Sequence, residues 1–272
     1  MATIDLPTMV DYALKTTGQS KLAYIGHSQG TTMAFECFTS SATAGNNLYP
    51  PACTKDYTDK ISIFIAIAPV TYLQHVESDF LNGLAALHVD ELLEALGENE
   101  FLMTNKFLEK WFPQICKNSL LKDICLNTYC LVSGCNEMEN NVQMNLTRLP
   151  LYFANLPAGT STLNVGHWAQ LIRSKKFQMF DYGGKNFNHY HQNDVPQINL
   201  SNLHVDIAIY HAGLDVLGDV LDYNIAIKQI PQNRVKNVMF YPTFGHIDMV
   251  WGINNWKLFF PDIVNRITSS FN

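Results

Sequence analysis

The sequence predicts an α/β fold in which a parallel β-sheet is interrupted by a mainly helical insertion. Short, apolar and largely β-branched runs have the composition of strands that are covered on both faces. Segments with helical periodicity alternate with these runs, which is typical of a parallel sheet with flanking helices. The strands are expected at residues 22–25, 61–68, 205–210 and 235–241, and the flanking helices at residues 4–17, 31–38, 220–228 and 261–268.

The alternation stops between residues 75 and 192, where helical patterns follow one another at residues 84–96, 101–112 and 120–132. The insertion is rich in Phe, Leu, Met and Trp, a composition that suits both an ordinary core and a cap that lines an apolar site. We therefore expect a first part of the core at residues 1–74, a helical cap or lid at residues 75–192 and a second part of the core at residues 193–272.

The composition describes a globular protein with a large core. The 272 residues are 47% hydrophobic and 15% charged, and the formal net charge is -6. This acidic balance argues against nucleic-acid binding. No apolar stretch reaches the roughly 18 residues of a membrane-spanning helix, so no transmembrane segment is predicted. The first residues also lack the apolar core of a signal peptide.

The N-terminal helix has recognisable start and stop signals. Asp5 is the candidate N-cap, and Pro7 falls in the first turn, where its missing N–H costs nothing. Gly18 suits the left-handed position that ends many helices. The helix is thus expected to lead directly into the first strand.

The pentapeptide Gly-His-Ser-Gln-Gly at residues 26–30 is a G-x-S-x-G motif between a predicted strand and a predicted helix. A nucleophile elbow requires this context, because its sharp turn lifts the serine side chain above the sheet. The two glycines leave room for the turn. Ser28 is therefore the candidate nucleophile, and the alternative is an ordinary turn between a strand and a helix.

A serine nucleophile needs an imidazole to take its proton and a carboxylate to orient that imidazole. In hydrolases with this elbow the acid follows a strand, and the chain order is Ser, then Asp or Glu, then His. Asp215 follows the strand at residues 205–210 and is the candidate acid. Asp219 and Asp222 are competitors, but they fall further along, within the next predicted helix.

His246 follows the strand at residues 235–241 and is the candidate general base. Gly245 is expected to permit an unusual backbone that swings the ring towards the elbow. A solvent-exposed loop histidine is the alternative interpretation. His27 precedes the nucleophile and should point away from it.

Gln29 is the expected source of one backbone N–H for an oxyanion hole, because it directly follows the nucleophile. The second donor normally comes from a loop after an early strand, and no such loop is found before the elbow. The sequence contains no Cys or His spacing typical of a zinc site, so no metal is predicted.

The six cysteines favour disulfides rather than a metal site. They lie at positions 37, 53, 116, 125, 130 and 135, without a C-x-x-C pair. Clustered cysteines without a metal pattern are typical of an oxidising compartment. Asn145 and Asn199 begin N-glycosylation tripeptides, which also point to the secretory pathway.

Longer stretches of the chain resemble the acid lipase family, the gastric and lysosomal acid lipase group of α/β-hydrolases. The most specific are GHSQGTT at residues 26–32 and PAGTS at residues 157–161. The resemblance covers essentially the whole chain. The remaining similar stretches are residues 5–7, 18–19, 24–25, 68–70, 145–148, 167–168, 176–178, 180–183, 213–215 and 245–248.

The resemblance implies a serine-dependent carboxylic ester hydrolase that acts on triglycerides or cholesteryl esters through an acyl-enzyme and needs no cofactor or metal. It implies Ser28, Asp215 and His246 as the triad. It also implies a disulfide between Cys116 and Cys125. The cap would contain a lid that contacts the lipid interface transiently, and the protein would be secreted or lysosomal.

Members of the family carry a signal peptide, early strands and an oxyanion loop ahead of the point where this chain starts. We therefore expect only a partial α/β-hydrolase core, with the strand at residues 22–25 at a sheet edge. The main alternative function is a catalytically impaired, truncated lipase homologue that binds lipid or a partner without turnover. A peptidase or thioesterase is a further alternative.

Overall fold

The structure of the chain is a computed structural model. The structure describes residues 1–39, 53, 55–88, 99–101, 113–118, 122–135, 143–155 and 158–272. Two predicted helices, at residues 84–96 and 101–112, therefore lie mostly outside the described residues.

The described strands are β1 (Leu22–Ser28), β2 (Ile61–Pro69), β3 (Glu100–Phe101), β4 (Thr160–Ser161), β5 (Ile207–Ala212) and β6 (Val235–Tyr241). Four of them form a parallel sheet at the centre of the fold, in the order β1-β2-β5-β6. The other two, β3 and β4, form an antiparallel sheet in the insertion. The α/β prediction is confirmed, and each predicted core strand overlaps an observed one.

The described helices alternate with the core strands and dominate the insertion. They are α1 (Asp5–Thr17), α2 (Gln29–Phe38), α3 (Lys55–Thr58), α4 (Asp79–Ala86), α5 (Lys122–Ser133), α6 (Leu149–Tyr152), α7 (Thr162–Ser174), α8 (Asn186–Tyr190), α9 (Val220–Ile227), α10 (Asp248–Trp251), α11 (Asn255–Leu258) and α12 (Phe260–Ser269). Three 3₁₀ turns lie at Leu146–Arg148, Gly183–Lys185 and Leu200–Asn202.

Both faces of the sheet are covered, as the apolar composition of β2 predicts. Phe64 packs with α1, α2 and α9 residues on one face, and its ring contacts those of Phe35 and Phe38. On the opposite face Ile65 packs with residues of α12, including Ile263. Successive side chains of a strand point to opposite faces, so an unbroken apolar run fits this two-sided core.

Strand β1 lies at one edge of the four-stranded sheet. It pairs with β2 on one side, with Tyr24 opposite Phe64. Ile25 of this strand is 52% exposed, which is unusual for an apolar strand residue next to a large core. The edge position expected for residues 22–25 is thus found in the described part of the sheet.

The start of α1 differs from the prediction. Asp5 is the first helical residue and not the N-cap; the N-cap position is Ile4, which has no side-chain capping bond. Asp5 instead lies 3.5 Å from the N-terminal amine, and a carboxylate in the first turn also suits the helix dipole. Gly18 ends the helix in the left-handed conformation with φ 69°, as predicted.

Three disulfides are present, two of them in the insertion. Cys116 and Cys125 are bonded, and this is the pairing that the family resemblance implies. Two further bridges join Cys37 to Cys53 and Cys130 to Cys135. Around α5, buried residues such as Tyr129 form a separate apolar cluster that also contacts Ile247 from the core.

Two predicted elements of the insertion can be compared with the structure. The helix predicted at residues 120–132 is present as α5. Phe101 was predicted to begin a helix, but it pairs with Thr160 in the β3–β4 sheet, because a cross-strand partner overrides a weak local preference. Among the described helices, none has the length and apolar character needed to cross a membrane.

Candidate active site

The G-x-S-x-G segment forms a sharp turn between β1 and α2. Ser28 adopts φ 55° and ψ -124°, a region that non-glycine residues rarely occupy. Gly26 makes the turn possible, because a Cβ atom there would lie 2.8 Å from the carbonyl carbon of Gly30. The chain therefore stores strain at the predicted nucleophile, which is how an elbow presents its side chain.

The second glycine of the motif has a different role from the predicted one. A Cβ atom at Gly30 would meet only the Tyr24 hydroxyl, at an ordinary contact distance of 3.6 Å. That hydroxyl donates to the Gly30 carbonyl at 2.8 Å. The turn thus requires glycine at position 26, because a side chain there would collide with the backbone of residue 30. Position 30 itself has room for a side chain.

Two threonines after the motif fasten the elbow to the segment that follows β2. The Thr31 hydroxyl donates to the Ser28 carbonyl at 2.6 Å and accepts from the Val70 N–H at 3.0 Å. The Thr32 hydroxyl donates to the Val70 carbonyl at 2.7 Å. Both threonines are buried, so these bonds are shielded from water and hold the strained turn in place.

Asp215 lies in the turn after β5 and is almost fully buried. One carboxylate oxygen accepts from the N–H groups of Leu217 at 2.9 Å and Gly218 at 2.7 Å. Burial favours the neutral acid, but His246 and these two N–H groups outweigh it, and the net effect lowers the pKa of Asp215. Asp215 is therefore ionised at neutral pH.

His246 lies beyond β6 and is also buried. Its Nδ1 is 2.8 Å from the second carboxylate oxygen of Asp215. Because that carboxylate is ionised and can only accept, Nδ1 carries the proton and Nε2 is left as the basic nitrogen. The structure thus brings the predicted acid and the predicted base together.

Gly245 has the predicted importance for a different reason. Its backbone is not among the positive-φ positions of the described chain. A Cβ atom there would lie 2.6 Å from the Ser133 carbonyl and still closer to that of Gly134. Close packing of the base loop against the end of α5, and not an unusual dihedral angle, requires the glycine.

Nε2 of His246 is buried and has no hydrogen-bond partner in the described chain. Ser28 Oγ is therefore not hydrogen-bonded to it. The neighbouring residue His27 does contact the base: its Nε2 is 3.1 Å from the His246 carbonyl oxygen, and the ring centroids are 4.8 Å apart. The elbow thus lies beside the acid–base pair without a serine–histidine bond, and such bonds often tighten only with substrate.

Gln29 connects the elbow to the insertion. Its backbone N–H is in the first turn of α2, where helical N–H groups have no intrahelical partner. Its side-chain amide donates to Asn164 Oδ1 on α7 at 2.6 Å. Asn164 in turn donates to the Thr160 hydroxyl at 2.9 Å, so β4 and α7 hold the first residue after the serine.

The competing aspartates have structural roles. Asp219 is the N-cap of α9 and accepts from the Leu221 N–H at 2.7 Å. Asp222 is buried and accepts from the backbone N–H of His75 at 2.9 Å, and its other oxygen lies 2.9 Å from the His75 ring. Neither reaches His246. In the described ranges, no three His, Cys, Asp or Glu side chains are grouped so that they could hold a metal ion.

Sequence patterns did not reveal the residues that support the site from the insertion. Asn164 and Ser133 act through contacts between segments far apart in the chain, and no local signal marks such contacts. The pair Thr31–Thr32 stands next to the motif, so its position was a usable signal.

Comparison with solved structures defines the class of the fold as α/β-hydrolase. A soluble variant of monoglyceride lipase from Saccharomyces cerevisiae is similar over 98% of this chain and 69% of its own, with a TM-score of 0.55 and 15% identity. A monoacylglycerol lipase from Paleococcus ferrophilus is similar over 99% of this chain and 76% of its own, with a TM-score of 0.50 and 12% identity.

The resemblance to the acid lipases is confirmed at the level of sequence. The chain is 34% identical to a lysosomal acid lipase/cholesteryl ester hydrolase of Macaca fascicularis over 95% of its length. It is 34% identical to a gastric triacylglycerol lipase of Bos taurus over 97% of its length. The matches span 61% and 62% of those two proteins. No family model matches the chain.

The first prediction concerns the contact of Gly26 with residue 30. We expect Gly26→Ala to lower the free energy of unfolding by about 1–3 kcal/mol, because the new Cβ atom forces backbone apart. Gly83→Ala is the matched control: no atom lies within 4 Å of its Cβ position in α4, and alanine favours a helix. Urea unfolding of both variants measures the difference, and equal midpoints would contradict the account.

The second prediction concerns pH. Burial, and then the neighbouring His246, lowers the pKa of His27 to about 4. Between about pH 6.5 and 4, His27 is therefore protonated in the unfolded chain but not in the folded chain. The stability that comes from neutral His27 is present in full above about pH 6.5 and is lost as the pH falls. We expect His27→Gln to reduce the loss of unfolding free energy between pH 7 and 4.5 by about 1–2 kcal/mol.

The control for this experiment is His189→Gln, which removes an exposed histidine. It should leave the pH dependence of wild-type urea midpoints unchanged. If the unfolding free energy of His27→Gln falls between pH 7 and 4.5 as much as that of the wild type, His27 takes up its proton equally in the folded and unfolded chains. That result would contradict the account.

Proposed function

We propose that the chain is a serine-dependent carboxylic ester hydrolase of the acid lipase type. The observation that carries this proposal is the buried Nε2 of His246, which has no partner among the described residues and is oriented by an ionised Asp215 next to a strained serine turn. A buried basic nitrogen without a partner is costly, and such costs are typical of catalytic groups. Similarity to lysosomal and gastric lipases supports the same conclusion.

In the proposed mechanism Ser28 Oγ attacks the ester carbonyl carbon while His246 Nε2 accepts the hydroxyl proton. The Gln29 N–H donates to the oxyanion that develops, and Asp215 stabilises the imidazolium. The tetrahedral intermediate expels the alcohol, which takes the proton from His246, and leaves an acyl group on Ser28. Water then attacks the acyl-enzyme while His246 Nε2 accepts one of its protons. The second tetrahedral intermediate releases the carboxylic acid, and His246 returns the proton to Ser28 Oγ. No cofactor or metal enters these steps.

An apolar cavity supports a lipid ester as substrate. It has a volume of about 210 Å³ and lies between α4 and α7, beside Gln29. Its walls include Leu81, Leu84, Trp168 and Ile172. Such a lining stabilises an acyl chain by removing it from water, at about 0.8 kcal/mol for each methylene group. Triglycerides and cholesteryl esters are the proposed substrates.

The insertion at residues 75–192 is proposed to act as a cap that contacts lipid interfaces transiently. Exposed leucines in this region support such contact: Leu87 is 76%, Leu151 is 56% and Leu163 is 55% exposed. An exposed leucine side chain that enters a lipid interface removes its apolar surface from water. The core divisions at residues 1–74 and 193–272 complete the proposed organisation.

A secreted or lysosomal location is proposed for the protein. Three disulfides are typical of an oxidising compartment. Asn145 and Asn199, the proposed glycosylation sites, are both exposed at the start of short turns and therefore accessible to modification.

The alternative function is binding of lipid or a partner without turnover. It is favoured by the absence of a bond between Ser28 Oγ and His246 Nε2 among the described residues. Gln29 is the oxyanion donor identified among the described residues, and the loss of one donor costs on the order of 10²- to 10³-fold in rate. Lipid binding in the absence of ester turnover distinguishes this function from the first.

The test is labelling and turnover. We expect a fluorescent alkyl phosphonate to label the wild-type chain covalently, and Ser28→Ala to abolish both this labelling and hydrolysis of p-nitrophenyl butyrate. Asp215→Asn should keep the fold but lower kcat by about 10⁴-fold, because the asparagine stabilises the wrong imidazole tautomer. Asp219→Asn is the matched control, since Asp219 only caps α9. Equal labelling of wild type and Ser28→Ala would refute the proposal.

A further inference from the structure

The end of α5 lies against both loops that carry the proposed acid and base. Ser133 is the last residue of α5, and its side chain is completely buried. Its carbonyl accepts from the His246 N–H at 2.6 Å. Its hydroxyl accepts from the Ile247 N–H at 3.0 Å. One residue of the insertion therefore holds two consecutive backbone groups of the base loop.

Gly134 extends the same contact to the acid loop. It adopts φ 77°, and a Cβ atom there would overlap the Leu214 carbonyl and lie 3.0 Å from the Val216 side chain. Leu214 and Val216 flank Asp215 in the chain. The segment Ser133–Gly134 thus packs between the turn that supplies the acid and the loop that supplies the base.

Two further features fix this segment. The Tyr129 hydroxyl, one turn earlier in α5, donates to the Asp248 carboxylate, whose other oxygen accepts from the Gly245 N–H at 2.8 Å. The disulfide between Cys130 and Cys135 closes a loop that contains both Ser133 and Gly134. A closed loop of this kind has fewer conformations to lose, so it favours the one geometry that meets the base loop.

We propose that Ser133 is a positioning residue that sets the orientation of the His246 ring towards Asp215. The two backbone groups held by Ser133 are those of His246 itself and of the next residue. Loss of the hydroxyl would leave the partly buried Ile247 N–H without its acceptor, so the loop would move to satisfy it. The imidazole would then leave its 2.8 Å contact with Asp215. This inference rests on the proposed function.

The primary test is Ser133→Ala, measured by proton NMR of the Nδ1 proton between His246 and Asp215. In the wild type we expect a downfield, slowly exchanging signal, which His246→Gln assigns by removing it. In Ser133→Ala the signal should shift upfield or exchange at least about fivefold faster, as expected for loss of one buried hydrogen bond. If the signal keeps its wild-type shift and exchange rate, the proposal is overturned.

The matched control is Thr128→Ala, which also removes a hydroxyl from α5. The Thr128 hydroxyl is exposed and donates to the Ile124 carbonyl within the same helix. It should leave the Nδ1 signal unchanged. An equal change in both variants would mean that any loss of a hydroxyl from α5 disturbs the site, and would overturn the specific role of Ser133.

Kinetics add a readout that a purely structural role would not give. We expect Ser133→Ala to lower kcat for p-nitrophenyl butyrate about five- to tenfold, with KM within about twofold of wild type. Absence of turnover and of Ser28 labelling in the wild type would refute the proposed function alone, because the Nδ1 signal still decides the role of Ser133.

A second variant guards against failure of Ser133→Ala to fold. Replacing Cys130 and Cys135 by alanine opens the loop but keeps the Ser133 hydroxyl. We expect faster exchange of the Nδ1 proton in this variant. The matched control replaces Cys116 and Cys125, which bridge the other end of α5 and do not enclose Ser133. No difference between the two double variants would contradict the proposal.

Discussion

The turn between β1 and α2 depends on a contact that only glycine allows, where the backbone of Gly26 meets that of Gly30. Any side chain at position 26 would separate the strand from the helix and relax the strained Ser28. The buried hydroxyls of Thr31 and Thr32 join this turn to Val70 and so to the end of β2. The turn, which is enforced by local steric contact, is thereby held against the neighbouring strand of the sheet.

The parallel sheet explains why distant residues meet at this turn. In a parallel sheet the carboxyl ends of all strands lie at the same edge, which is where sites form in α/β folds. Ser28 ends β1, Asp215 follows β5 and His246 follows β6. The sheet therefore sets the approximate positions of the three residues, and hydrogen bonds in the loops set the exact orientation of their side chains. The insertion supplies part of that fine control through Asn164 at the elbow and Ser133 at the base loop.

Much of this arrangement could be predicted from the sequence, because its causes are local. Apolar runs predicted the four core strands, and the G-x-S-x-G motif with its flanking strand and helix predicted the elbow. The positions of Asp215 and His246 after their strands were sufficient to pair them. Asp5 was wrongly assigned as an N-cap, because the helix begins at Asp5 itself and Ile4 holds the cap position. The need for Gly245 was correct, but its cause is contact with Ser133 and Gly134 and not its own backbone angle.

The remaining features depend on pairings and contacts that periodicity cannot report. The bridges Cys37–Cys53 and Cys130–Cys135 are close in the chain, but six cysteines allow many pairings. The bond between Gln29 and Asn164 joins residues 135 positions apart and links the core to the insertion at the proposed site. Both kinds of feature become visible only in the folded geometry.

The central claim is that the elbow, the acid and the base form one catalytic centre. The most direct measurement is a crystal structure of the chain after reaction with an alkyl phosphonate. The account predicts phosphorus bonded to Ser28 Oγ, a phosphoryl oxygen within hydrogen-bond distance of the Gln29 N–H, and His246 Nε2 facing the same phosphorus group. A phosphonate bonded to another residue, or a phosphoryl oxygen directed away from Gln29, would contradict it.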